Sequence, residues 1–218
     1  MVIFDCNGVL VDGEPIANAV AADEFTRAGF PMTPELIARF FAGRRPADMF
    51  WAIEKVTGRK VPPDLPVRVA AETLRRFRAE LRPTPHAARA LTWLRGPKCV
   101  ASASPIDRIR LSLETTGLLR YFETSLFSAS DVARGKPAPD LFLRAAALTG
   151  IAPRNCIVVE DSPAGVSAAK AAKMTPIGFV GGAHASPALA GMLMAAGART
   201  VIADMRMLKS TIVAIRGW

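Results

Sequence analysis

The sequence predicts an α/β protein, a Rossmann-like parallel sheet core with an inserted all-helical cap domain. Two observations carry that reading. Short apolar runs (Val2-Ile3-Phe4, Cys99-Val100-Ala101, Leu126-Phe127, Ile157-Val158-Val159, Ile177-Gly178-Phe179 and Val201-Ile202) alternate with amphipathic stretches, as in a sheet covered by helices on both faces. The alternation breaks between Pro15 and Leu81, where the pattern is wholly helical.

Within that helical stretch, Pro15 to Ala28 is a first helix closed by Gly29. Thr33-Pro34 supplies an N-cap and a proline at the first helical position of a second. Pro46 to Thr57 ends at Gly58. Val67, Ala70, Leu74, Phe77 and Leu81 then recur at steps of three and four residues, the apolar face of a longer helix. After Arg82-Pro83 the texture changes: Thr84-Pro85 is expected to cap a helix running through Leu91 and Leu94. Helices over Ile106–Leu113, Leu141–Leu148, after Ser162-Pro163, and over Pro187–Ala196 separate the remaining strands. The expected division is 1–13 with 83–218 as the core and 14–82 as the cap.

Half the residues are hydrophobic and 22% are charged, the composition of a folded globular chain. No apolar run approaches the roughly 20 residues that a membrane span needs. The opening Met1-Val2-Ile3-Phe4-Asp5 lacks a basic leader, so a cytoplasmic location and no membrane partner are expected. Cys6, Cys99 and Cys156 lie in or beside apolar runs with no CxxC spacing, and read as buried reduced thiols. Trp51, Trp93 and Trp218 read as packing residues. The net charge of +9 comes from arginines scattered along the chain, densest at Arg75-Arg76-Phe77-Arg78. A solvated helix face is expected there and not a nucleic-acid patch, while the positive field favours small anionic substrates. A monomer and a homodimer are both compatible with the sequence.

Ligands of open α/β sheets gather at the carboxyl ends of the strands, and several polar groups fall at such places. Asp5 follows the first run, Ser102 the second, and Glu160-Asp161 the fourth, while Lys136 stands at the head of the helix after the third. Carboxylates can hold a hard cation such as Mg²⁺ through oxygen, and a lysine and a hydroxyl can stabilise charge on a transferring phosphoryl group. Asp5 is the candidate nucleophile.

Four segments then carry a resemblance. Phe4-Asp5-Cys6-Asn7-Gly8-Val9-Leu10-Val11-Asp12, Ala101-Ser102-Ala103-Ser104, Gly135-Lys136-Pro137-Ala138-Pro139-Asp140 and Val159-Glu160-Asp161-Ser162 resemble, in order, the four motifs of the haloacid dehalogenase superfamily. The branch of β-phosphoglucomutase and the small sugar phosphatases is the most similar, with a helical cap after the first motif. The resemblance implies a Mg²⁺-dependent phosphatase of small phosphorylated metabolites such as sugar phosphates. It gives the catalytic set Asp5, Asn7, Ser102 and Lys136. The metal would be held by Asp5, the Asn7 carbonyl, Glu160 and Asp161. The substrate would be bound by Gly8, Glu14, Arg44, Arg45, Ser102, Ala103, Ser104 and Lys136.

One departure matters. Phosphatases of this family carry Asp where this chain has Asn7, and an amide cannot exchange the proton that a general acid–base must move. Three readings stay open: a slow or specialised phosphatase, a carbon–phosphorus hydrolase using Lys55 or Lys60 as a Schiff-base lysine, or a binder of phosphorylated ligands. Gly13-Glu14 also replaces the usual Ser-Glu. His86 is expected to be structural or exposed, and His184 a loop residue within reach of the site's mouth.

Overall fold

The computed structural model of the protein describes residues 1–122 and 125–217. Six strands, β1 (Val2–Phe4), β2 (Lys98–Ser102), β3 (Leu126–Ser128), β4 (Ile157–Glu160), β5 (Thr175–Phe179) and β6 (Thr200–Ile202), form one parallel sheet in the order β3-β2-β1-β4-β5-β6. Ile3 lies beside Cys99 on one side and Val158 on the other. Strands this central are covered on both faces, which is why they read as unbroken apolar runs. Val2, Phe4, Val100 and Val159 face one core cluster, and Ile3, Cys99, Ala101 and Val158 the other. The winding reverses between β1 and β4, so their carboxyl ends frame the crevice where such sheets bind ligands.

Helices α1 (Glu14–Arg27), α2 (Pro34–Phe41), α3 (Pro46–Thr57) and α4 (Leu65–Glu80) follow β1 without an intervening strand. They share a separate cluster around Phe25, Phe30, Ile37, Phe50, Ile53 and Leu65. Thr33 caps α2 as expected, its hydroxyl accepting from the Leu36 N–H at 3.3 Å. The last turns of α4 belong elsewhere: Phe77 and Leu81 pack in the sheet's own core. The chain enters and leaves this helical block at one place. There the Asp12 N–H donates to the Arg82 carbonyl at 3.0 Å, the Thr84 N–H donates to Leu10 at 2.9 Å, and Val11 bridges Pro83 in antiparallel fashion.

The remaining helices, α5 (Ala87–Trp93), α6 (Ile106–Thr115), α7 (Asp140–Leu148), α8 (Pro163–Ala171), α9 (Leu189–Ala196) and α10 (Leu208–Arg216), complete the layers. Three expectations fail. Thr84 does not cap α5, because its hydroxyl donates to the Val9 carbonyl at 2.6 Å and His86 takes the N-cap position. Helix α10 is not foreseen by the sequence reading. Trp51 and Trp93 are largely exposed, each with a cation (Lys55 and Arg89) over its ring at 4.8 and 4.7 Å. Trp218 lies outside the described residues. All three cysteines are free and buried, as expected. No described helix is long and apolar enough to cross a membrane.

Candidate active site

Asp5 extends the central strand by one residue, its N–H donating to the Val159 carbonyl at 3.0 Å. The chain then turns back on itself, with the Leu10 N–H reaching Cys6 at 2.8 Å and the Gly8 N–H reaching Val11 at 2.7 Å. Gly8 makes that turn with φ at +80°, and a Cβ there would stand 2.0 Å from Asp161 Oδ2. Only glycine fits both the backbone and the neighbour.

Lys136 reaches in from the loop after β3 and is fully buried. Its ammonium donates to Asp5 Oδ1 at 2.6 Å and to Glu160 Oε1. Burial alone would lower its pKa, but the two carboxylates outweigh burial and hold it above the usual lysine range. Glu160, expected among the metal ligands, is otherwise engaged. Its Oε2 accepts from the Asp161 and Ser162 N–H groups, at 3.1 Å each, and from the Ser162 hydroxyl at 3.0 Å. It fixes Lys136 and the head of α8.

Removing the ammonium would strand two buried carboxylates. Lys136→Met is therefore expected to cost about 3–5 kcal/mol of folding stability at neutral pH. Burial already holds the Asp5 carboxyl above the usual range against the pull of Lys136, and losing that pull raises it further, so the deficit should narrow as pH falls from 7 towards 5. Urea denaturation at the two pH values reads both effects; a loss under 1 kcal/mol would contradict this account.

Asp161 Oδ2 accepts from His184 Nε2 at 2.9 Å. Burial pushes the Asp161 carboxyl up to about 6, against the pull of His184. His184 is thus placed at the site itself. Asn7 donates from Nδ2 to Ser104 Oγ at 3.1 Å, while its Oδ1 is buried without a partner among the described residues. The Ser104 N–H donates to Ser102 Oγ at 3.3 Å, and the Ser104 carbonyl accepts from Ser128 Oγ at 2.8 Å. Ser102, Ala103 and Ser104 thus form one braced segment beside Asp5.

The helical block covers this rim, enclosing a cavity of about 90 Å³ lined by Asp5, Asn7, Ser102 to Ser104 and Asp161 from the sheet side. Glu14 and Arg44 line it from the helices, Arg44 from the exposed rim. Arg45, expected to meet substrate, is already engaged. It holds Asp48 through two bonds of 2.9 and 2.8 Å and reaches the Val132 and Ala133 carbonyls at 3.3 and 3.4 Å. It joins α3 to the loop after β3. Lys55 and Lys60 do not line the cavity: Lys55 covers Trp51 and Lys60 pairs with Glu54 at 2.7 Å. Among the described residues neither cap lysine reaches the cavity. Arg108, which the motifs do not mark, does line it. Its signal in the sequence is a basic residue in the first turn of a helix, against the preference set by the helix dipole.

Among the described residues no three His, Cys, Asp or Glu side chains form a ready metal cage. The donors still suit Mg²⁺, which uses one or two carboxylates and leaves the rest to water and phosphate. Asp5 and Asp161 are ionisable acids in a site where one ammonium faces three carboxylates, and the excess negative charge suits a cation.

Residues 1–173 match the model of the haloacid dehalogenase-like hydrolases, and the chain belongs to that family. It is 32% identical over 189 residues to 6-phosphogluconate phosphatase of Escherichia coli, covering 85% of each chain. A haloacid dehalogenase-like protein of Agrobacterium tumefaciens superposes with a TM-score of 0.83 at 36% identity, covering 99% of this chain and 98% of that one. A hydrolase of the family from Deinococcus radiodurans, solved with phosphate and sodium, gives 0.75 at 30% identity, over 98% and 94%. Within the family the chain is a phosphatase.

Proposed function

We propose that the chain hydrolyses phosphate monoesters of small metabolites such as sugar phosphates, in a Mg²⁺-dependent reaction through an aspartyl-phosphate on Asp5. The single observation that carries this is Asp5 at the end of the central strand, with Oδ1 held by Lys136 and the cavity in front of it. Oδ2 attacks phosphorus in line, and the bond from phosphorus to the ester oxygen breaks. Water then hydrolyses the acyl phosphate, returning the carboxylate and releasing phosphate. Lys136 and the Ser102–Ser104 segment hold the phosphoryl oxygens. Mg²⁺, held by Asp5, Asp161 and the Asn7 carbonyl, would offset the repulsion between carboxylate and phosphate. Asn7 cannot hand a proton to the leaving oxygen, so turnover is slow and favours esters whose leaving group needs little protonation.

Residues 14–82 act as the cap. They lie over the cavity in front of Asp5, lining it with Glu14, Ile37, Phe41 and Arg44, and swing aside to admit the ester and release its products. Three free buried cysteines accord with a cytoplasmic setting. The test is phosphate release from a panel of phosphorylated sugars and polyols, with Mg²⁺, with chelator, and after Mg²⁺ is restored. Release that follows the metal is expected; tight binding of the esters with no release would overturn the reading in favour of a binding protein.

A further inference from the structure

The reaction above accounts for the groups around Asp5 and leaves Arg108 without a task. Arg108 stands in the first turn of α6, where the helix dipole disfavours a cation. Its guanidinium lies 4.7 Å from the centre of the buried Phe77 ring and faces the cavity that Asp5 and Ser102 line. Stacking on the ring fixes the plane of the fork. Nε is buried and has no hydrogen-bond partner among the described residues. Burial lowers the guanidinium's pKa, and the negative charges of Glu14, Asp5 and Asp107 oppose that without a hydrogen bond to it. The guanidinium is held in place by the ring, its Nε is buried and the residue stays half-buried at the cavity, and the ligand that fits its fork is a planar or tetrahedral oxyanion bound by two parallel N–H groups.

The transferring phosphoryl group already has Lys136 and the Ser102–Ser104 segment. We propose that Arg108 binds a second anionic group, a carboxylate or a phosphate, at the far end of the substrate. The preferred esters are then phosphorylated sugar acids or sugar bisphosphates and not neutral polyol monophosphates. This rests on the phosphatase reading. Glu14, which lines the same cavity, is placed to accept from the hydroxyls of the intervening chain.

The experiment compares kcat/KM within two matched pairs: 6-phosphogluconate against sorbitol 6-phosphate, and fructose 1,6-bisphosphate against fructose 6-phosphate. A charge-assisted pair predicts a preference of about 10- to 100-fold for the anionic member in at least one pair; the first pair reports a carboxylate, the second a phosphate. In Arg108→Met that ratio should fall to within about threefold of one, through KM, and Arg108→Lys should restore part of it. Because the readout is a ratio, a general loss of active protein cancels. Ratios near one in the unaltered protein, or a ratio that survives Arg108→Met while both rates fall, would overturn the inference and leave the phosphatase reading standing. If no ester is hydrolysed, the phosphatase reading falls instead. Calorimetric affinities of the unaltered protein and Arg108→Met for the same esters then decide Arg108's role by the same ratios.

Discussion

Asp5→Asn is expected to bring phosphate release down to the assay background, a loss of about 10⁴- to 10⁶-fold, the scale seen when a covalent nucleophile is removed. An amide oxygen is too weak a nucleophile to form the acyl phosphate, and nothing else on the rim replaces it. The fold should tolerate the change. Asparagine has the shape of aspartate, its Oδ1 still accepts from Lys136, and one of three clustered negative charges disappears. Thermal unfolding should therefore show an unchanged or slightly raised midpoint. Loss of activity with intact unfolding assigns the chemistry to Asp5, whereas retention of more than about a hundredth of the activity would take that role away.

The second large effect runs the other way. Asn7→Asp should raise phosphate-ester turnover by about 10²- to 10⁴-fold, the contribution of a positioned general acid–base. The site can receive the carboxylate. Asn7 now donates to Ser104 Oγ at 3.1 Å, and a hydroxyl can reverse the bond and donate to a carboxylate oxygen instead. The orphaned Oδ1 would become the oxygen that carries the proton. Gly13 leaves the space this side chain uses, since a Cβ there would lie 2.5 Å from Oδ1. Steady-state rates of the two proteins across the ester panel decide it; equal, near-background rates would mean the rest of the site is not poised for hydrolysis.

The sheet was legible because strands buried on both faces write themselves as apolar runs, and the helical insertion because Pro15 to Leu81 holds no strand-like run; the buried face of its last helix was misread, since α4 buries Leu65, Val69, Thr73 and Phe77 while Val67 and Ala70 are exposed. Helix α10 was not, since neither proline nor glycine opens it and its start follows a single 3₁₀ turn at Met205–Met207. The site residues were legible as positions at strand ends. Their partners were not, because partners lie far off in sequence: Lys136 meets Asp5 across 131 positions, and Asp161 meets His184 across the rim. Glu160 and Asp161 are adjacent, yet one turns inward to Lys136 and α8 while the other pairs with His184. No local pattern tells such neighbours apart. Arg45 does line the cavity, but its engagement by Asp48 and the loop after β3 was not legible for a similar reason, being a tertiary fact.

The two crossings between sheet and helical block are hydrogen-bonded to each other at Asp12–Arg82 and Leu10–Thr84. A body tethered by two strands that are themselves pinned together has little freedom to slide or twist; what it keeps is a swing about one axis. On the far side the block is held by Arg45 at 3.3 and 3.4 Å from two carbonyls, the long end of hydrogen-bond geometry. Under the proposed cap role these crossings would be the hinge, Arg45 together with the packing of Phe77 under Arg108 would be the latch, and the angle of opening would set the largest ester that can enter.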